Sequence, residues 1–188
     1  MIKIGLTGSI ASGKTTASKI ISKTRGPLFS ADNIVKKLYA KKNFKKIVVK
    51  KLKIKSRLDL KRKIKNIILS KKGALKKLEQ IIHPMVRKEM LVFLRKNKNK
   101  KFLFLEIPLL IESKLTRYFD VIIFIKSQRN LRLKRFRLKK GNIKLFYLLD
   151  NLQLKDTKKV KFCDHIVVNN KSLSILKKKL SNIIKLYE

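Results

Sequence analysis

Ile2-Lys3-Ile4-Gly5-Leu6-Thr7-Gly8-Ser9-Ile10-Ala11-Ser12-Gly13-Lys14-Thr15-Thr16 is the stretch that decides the fold of this chain. An apolar, β-branched run over residues 2–7 leads directly into a complete G-x-x-x-x-G-K-[ST] loop at residues 8–15. A helix is expected to begin near Lys14. Strand, glycine-bounded loop and helix in that order aim successive backbone N–H groups at one point. The positive end of the helix dipole reinforces them, and the result holds a triphosphate. Gly8 and Gly13 supply backbone conformations and a close approach that a Cβ would obstruct. Lys14 is expected to reach the β- and γ-phosphates and Thr15 to ligate Mg²⁺. A chance match in a lysine-rich chain is the competing reading, and the flanking strand and helix count against it. The stretch implies a nucleoside triphosphate site.

The 188 residues are 44% hydrophobic, enough for one α/β domain with a substantial core and too apolar for a disordered basic protein. The net charge of +40 sets up a field that attracts polyanions. Its lysines spread over nearly every expected helix instead of forming one stripe. Arginine-rich or aromatic-interleaved nucleic-acid motifs are absent, so drift toward A/T-rich codons explains the charge better than a nucleic-acid partner does. The one cysteine, Cys163, excludes an intrachain disulfide, and with only two histidines no zinc constellation forms. Lys3 interrupts the first apolar run, which therefore does not read as a signal peptide. The run from Phe102 to Ile111 is broken by Glu106 and Pro108 and is too short to span a membrane. The expectation is a cytoplasmic monomer with no membrane partner.

Apolar runs at 2–7, 27–30, 102–107, 121–125 and 165–168 read as strands separated by helices, the pattern of a buried parallel sheet. The first helix should stop near Arg25-Gly26-Pro27. No strand is expected between residues 33 and 96. Leu60, Ile64, Ile67 and Ile68 mark one helix there; Leu75, Leu78, Ile82, Met85, Val86, Met90 and Phe93 mark another, which Pro84 bends or divides. A second helical excursion covers 129–162. Ser172 should cap a final helix carrying Leu173, Leu176, Leu180, Ile183, Ile184 and Tyr187.

Asp32 follows the second strand, beyond the carboxyl end where open parallel sheets bind ligands. A carboxylate there can orient and deprotonate an attacking hydroxyl, or it can simply cap a helix starting at Asn33. Glu106 ends the third strand either as a second metal-organising carboxylate or as a rim acid with a structural hydrogen bond. Pro108-Leu109-Leu110-Ile111-Glu112 reads as a turn entering a helix. Among Arg129, Arg132, Lys134, Arg135, Arg137, Lys139 and Lys140, one or two cations are expected to clamp phosphates and the rest to form a solvated face.

Together, the loop at residues 5–16, Ala31-Asp32, Leu78-Glu79-Gln80-Ile81-Ile82-His83-Pro84, the Pro108–Glu112 segment just quoted and Cys163-Asp164-His165-Ile166-Val167-Val168-Asn169 resemble dephospho-CoA kinase. Gln153, Lys159 and Asp164 also fall at the family's spacing. The resemblance runs essentially the length of the chain. It implies transfer of the ATP γ-phosphoryl group to the ribose 3′-hydroxyl of dephospho-CoA, with ATP and Mg²⁺ bound. The implied fold is an α/β P-loop kinase: a five-stranded parallel sheet flanked by helices, with a helical substrate-binding region and a helical lid. It would be a single domain over 1–188, with a core at 1–32, 101–128 and 163–188, a CoA-binding region at 33–100 and a lid at 129–162. By the resemblance, Asp32 is the catalytic base, residues 11–16 (Ala11, Ser12, Gly13, Lys14, Thr15, Thr16) hold ATP, and Arg135 is a lid arginine. His83, with Lys139 where a second lid arginine is usual, would serve substrate binding. Ser30 replaces a usual aspartate, Ser9 and Ala11 common glycines, Lys61 an arginine and Arg132 a glutamine. Lysine supplies charge without arginine's bidentate fork, which loosens phosphate positioning.

Overall fold

The computed structural model describes residues 1–55 and 59–188, which fall into two units: residues 1–30 with 94–188, and residues 31–93. In the first unit, β1 (Ile2–Thr7) runs between β3 (Phe102–Glu106) and β4 (Val121–Lys126), with β2 (Leu28–Ser30) and β5 (His165–Val168) at the edges. Every pairing is parallel, in the order β2-β3-β1-β4-β5. The chain leaves β1 toward one side of the sheet and later crosses to the other. The carboxyl end of β1 is therefore the switch point where such sheets open a crevice. The strands read as continuous apolar runs because helices cover the sheet, and all five residues of β3 are buried.

One face packs on α1 (Lys14–Ser22) and α9 (Leu173–Lys185), where Ile4, Leu6, Ala17, Ile21, Ile123 and Leu180 join the core. Ser172 caps α9, accepting from Ile175 N at 3.4 Å. The excursion after β4 forms α6 (Arg129–Leu138), α7 (Ile143–Leu152) and α8 (Asp156–Lys159). Phe146 is fully buried there, 5.5 Å from the ring of Phe136, and Asn142 caps α7 through Leu145 N at 3.0 Å.

The second unit is helical among its described residues: α2 (Ala31–Ala40), α3 (Lys42–Leu52), α4 (Leu60–Ser70) and α5 (Ala74–Lys96), the last continuing past the unit's end at Phe93. Leu38, Phe44, Val48, Leu60, Ile64, Leu78 and Met90 are buried, and Tyr39 meets Phe44 edge-on at 5.1 Å.

Three expectations need correction. Pro84 does not divide its helix: α5 is continuous through it. A proline in a helix interior costs about 3 kcal/mol, and burial of Leu78, Val86 and Met90 on both sides outweighs that. Helix α2 starts at Ala31 rather than Asn33, which puts Asp32 inside its first turn. The Pro108 segment turns without becoming a helix. Ser113 N donates to Leu109 O at 2.9 Å, after which Lys114 adopts a left-handed φ of 54° that ends the coil. Three strand ends also shift by one residue, because β2 opens at Leu28, β3 closes at Glu106 and β4 extends to Lys126.

Candidate active site

The loop between β1 and α1 takes the conformations its glycines were expected to allow. Gly13 sits at φ 98°, and a Cβ there would lie 2.2 Å from Asn169 Nδ2. Gly8 sits at φ 149°, and its Cβ would strike Ile125 O at 2.4 Å. Ala11 holds a left-handed φ of 58°, a strained choice for a residue with a Cβ. Asn169, just past β5, clamps the loop by donating from Nδ2 to Ser12 O at 2.8 Å. The first bond closing α1 runs from Ala17 N to Gly13 O at 3.0 Å, so the earlier N–H groups of this turn have no intrahelical acceptor. That is the anion-binding end of a helix. Ser12 Oγ is buried without a hydrogen-bond partner, a polar atom of the loop whose bonding is unsatisfied.

Lys14 is only 7% exposed, and its ammonium donates to Gly8 O and Ser9 O, each at 2.9 Å. The Thr15 hydroxyl donates to Glu106 Oε1 at 2.5 Å, and Ser18 Oγ reaches Glu106 Oε2 at 3.5 Å. Glu106 is 1% exposed, and its register opposite Leu6 explains its reach to α1. Arg135 lies against the loop, donating from Nη1 to Ser127 Oγ at 3.0 Å and Ser12 O at 3.4 Å, and from Nη2 to Asn169 O at 3.0 Å. Lys139, by contrast, is exposed at the carboxyl end of α6, and no hydrogen bond or ion pair among the described residues joins it to the loop.

The structure therefore brings Ala11, Ser12, Gly13, Lys14, Thr15, Thr16 and Arg135 together within the first unit. A further set of residues lies beside the loop: Arg132, a candidate phosphate clamp in the sequence, Gln153 and Lys159, which the resemblance singled out, and Asp150 and Asp156, to which sequence reasoning gave no role. Buried Arg132 donates to Asp150 Oδ1 at 2.5 Å and to Ile10 O at 3.4 Å. Gln153 Oε1 accepts from Ile10 N at 3.1 Å, and Asp156 Oδ1 accepts from the Ser9 hydroxyl. Lys159, fully buried, pairs with Glu112 Oε1 at 2.7 Å. Asn169 was findable on the same ground as Asp32, since each follows the carboxyl end of a strand. The helix-borne residues carried no comparable signal.

In the second unit, Asp32 is exposed in the first turn of α2 and His83 is half-buried in α5. A cavity of about 600 Å³ is lined by Lys36, Tyr39, Lys45, Lys61 and Arg62, with Asp59 the acid among them. Burial, with the Arg87 guanidinium adding repulsion, holds the His83 pKa below its ordinary value. The fold thus favours the neutral ring. The associated stability is complete above the unfolded value of about 6.5 and is lost as pH falls through the lowered folded value. Between pH 7 and pH 5 the melting temperature should therefore fall more steeply for the unaltered protein than for His83→Gln; equal slopes would contradict this.

Burial, with Asp164 adding repulsion against a weaker opposing effect of Lys159, pushes the Cys163 thiol up to about 12. It is a poor nucleophile at neutral pH. No helix among the described residues is long and apolar enough to cross a membrane.

Comparison with known proteins decides what this loop belongs to. The family profile described as dephospho-CoA kinase matches residues 2–174. The chain belongs to the dephospho-CoA kinase family. It is 33% identical to a dephospho-CoA kinase of Rickettsia typhi, covering 98% of this chain and 97% of that one. Identity to the Fusobacterium nucleatum dephospho-CoA kinase is 34%, with 94% of both chains covered. The solved dephospho-CoA kinase of Campylobacter jejuni superposes with a TM-score of 0.68 at 27% identity, covering 97% of this chain and 95% of that one. Of the positions at the family's spacing, Gln153 contacts the loop and Lys159 forms the buried pair. Asp164 has a structural role, its Oδ2 accepting from Ile122 N at 2.7 Å.

Proposed function

We propose that this protein is a dephospho-CoA kinase working in the cytoplasm, which joins the ribose 3′-oxygen of dephospho-CoA to the γ-phosphorus of ATP and releases ADP. The observation that carries the reading is the family match across residues 2–174 of a chain whose phosphate loop holds Lys14 between the motif glycines Gly8 and Gly13 and the helix they open. Backbone amides of residues 11–16 hold the β-phosphate. Lys14 leaves the carbonyls of Gly8 and Ser9 for the β/γ oxygens, and Arg135 spreads its charge over the transferring group from its place beside Ser12.

Thr15 backed by Glu106 is an oxygen donor set that suits a hard divalent cation. Thr15 and Glu106 are the residues that would hold Mg²⁺ there. When bound, Mg²⁺ neutralises charge on the β and γ oxygens.

The helical region 33–100 takes the acceptor, with His83 in that region. The cavity cations Lys36, Lys45, Lys61 and Arg62 suit the diphosphate of dephospho-CoA. Asp32 stands two residues past Ser30, the last residue of β2, which pairs with Glu106. In this reading its carboxylate takes the 3′-hydroxyl proton as the new bond forms. Residues 129–162 act as the lid, with Lys139 reaching the substrates only when that lid closes and excludes water. A panel of acceptors with γ-labelled ATP tests the function. Label should pass to dephospho-CoA in preference to nucleoside monophosphates or shikimate; preferential labelling of either of those would establish a different kinase of the same fold.

A further inference from the structure

Residues 9 and 10 of the phosphate loop are gripped from outside at three atoms, all by one segment of chain. The Ser9 hydroxyl donates to Asp156 Oδ1, Ile10 N donates to Gln153 Oε1 at 3.1 Å, and Ile10 O accepts from Arg132 Nη1 at 3.4 Å. Arg132 is tied in turn to Asp150 at 2.5 Å and, through Nε, to Ser127 O at 3.2 Å. The far end of this segment is anchored by the buried Lys159–Glu112 pair, whose Glu112 Oε1 also accepts from Leu154 N at 3.3 Å. Positions 150, 153, 156 and 159 thus form a strap running across the lip of the loop.

The strap bears on chemistry because of what it holds. Ser9 O is one of the two carbonyls on which the Lys14 ammonium rests. Fixing the Ser9 side chain and both backbone polar groups of Ile10, whose N–H shares a peptide plane with Ser9 O, fixes the position of that carbonyl, and so the starting point of the lysine. Ser9 itself is 4% exposed, and a Cβ-bearing, polar residue in so tight a loop needs a partner for its hydroxyl. Asp156 supplies it. Ser9 and Arg132 both bind the same strap, which supports the loop from outside.

We propose that Asp156, acting through Ser9, is a positioning residue for Lys14, and that the strap 150–159 makes the geometry of the phosphate loop depend on the segment that follows β4. Asp156 touches neither the nucleotide nor the acceptor in this account. Its effect belongs to the orientation of the reacting groups, where a displacement of about 1 Å can cost on the order of a hundredfold in rate.

The proposal rests on the reading of Lys14 as the phosphate lysine. Turnover of the unaltered protein with ATP and dephospho-CoA, and its loss in Lys14→Ala, test that reading before any strap variant is compared. The strap is then tested by a double-mutant cycle with Ser9→Ala and Asp156→Ala, measuring kcat, the KM for each substrate and the melting temperature. Each single change should lower kcat about tenfold, with the KM for dephospho-CoA unchanged, and the double variant should be no slower than either single one. Asp156→Asn keeps an acceptor oxygen for Ser9 and should restore most of the rate. Ser9→Gly, which keeps the loop flexible but loses the hydroxyl, should behave as Ser9→Ala does and guards against a folding artefact. Unchanged kcat in the single variants, independent effects that multiply in the double, or an Asn variant as slow as the Ala variant would overturn the proposal.

Discussion

Lys14→Ala is expected to lower kcat by about three orders of magnitude or more while leaving the protein folded. Deletion of one preorganised donor to developing charge costs on the order of 10²–10³ in rate, and cationic groups on a transferring phosphoryl group contribute up to about 10⁵. Lys14 is the cation in the centre of the loop, held by Gly8 O and Ser9 O at 2.9 Å. Its removal leaves those two carbonyls without their donor but takes no side chain from the apolar core cluster. Circular dichroism should report an intact fold, and single-turnover kinetics with saturating ATP should report the loss. Arginine at position 14 should not rescue the rate, since its planar fork cannot follow the path of a compact ammonium between two carbonyls. Retention of a tenth of the rate by Lys14→Ala would show that the loop does not carry the chemistry.

Asp32→Asn is expected to lower kcat by about 10²–10⁴, the usual contribution of a positioned general base. Nucleotide affinity should hardly change, because the loop and Arg135 are untouched. This variant separates the two roles that the sequence left open for Asp32. Asparagine is as good as aspartate at a helix start, so a residue serving only the first turn of α2 would tolerate the change. A carboxylate that accepts a proton would not. Direct titration of ATP binding together with kcat for dephospho-CoA phosphorylation distinguishes them.

The sheet was legible because its central strands are written as largely apolar runs, and the expected runs at 2–7 and 165–168 match β1 and the more exposed edge strand β5 end for end. The phosphate loop was legible because its requirements are local: two glycines at fixed spacing, one of them at φ 98° against Asn169. Pro84 left division of its helix open as one of two outcomes, since burial on both sides of it is decided by tertiary packing that propensity does not see. The partners of the residues supporting the loop were not legible for a related reason. Glu106 meets Thr15 across 91 positions of sequence and Asp156 meets Ser9 across 147, and nothing in the local pattern of an acidic residue announces a partner so far away. Lys139 shows the converse, a residue assigned by resemblance whose side chain makes no hydrogen bond or ion pair with the loop among the described residues.

The most direct test of the account is a crystal structure with dephospho-CoA and a non-hydrolysable MgATP analogue bound together. It should place the β-phosphate in the ring of amides from residues 11–16 and the ribose 3′-oxygen about 3–3.5 Å from the γ-phosphorus, within hydrogen-bond reach of Asp32. A 3′-oxygen out of line with the γ-phosphorus and remote from Asp32 would contradict it.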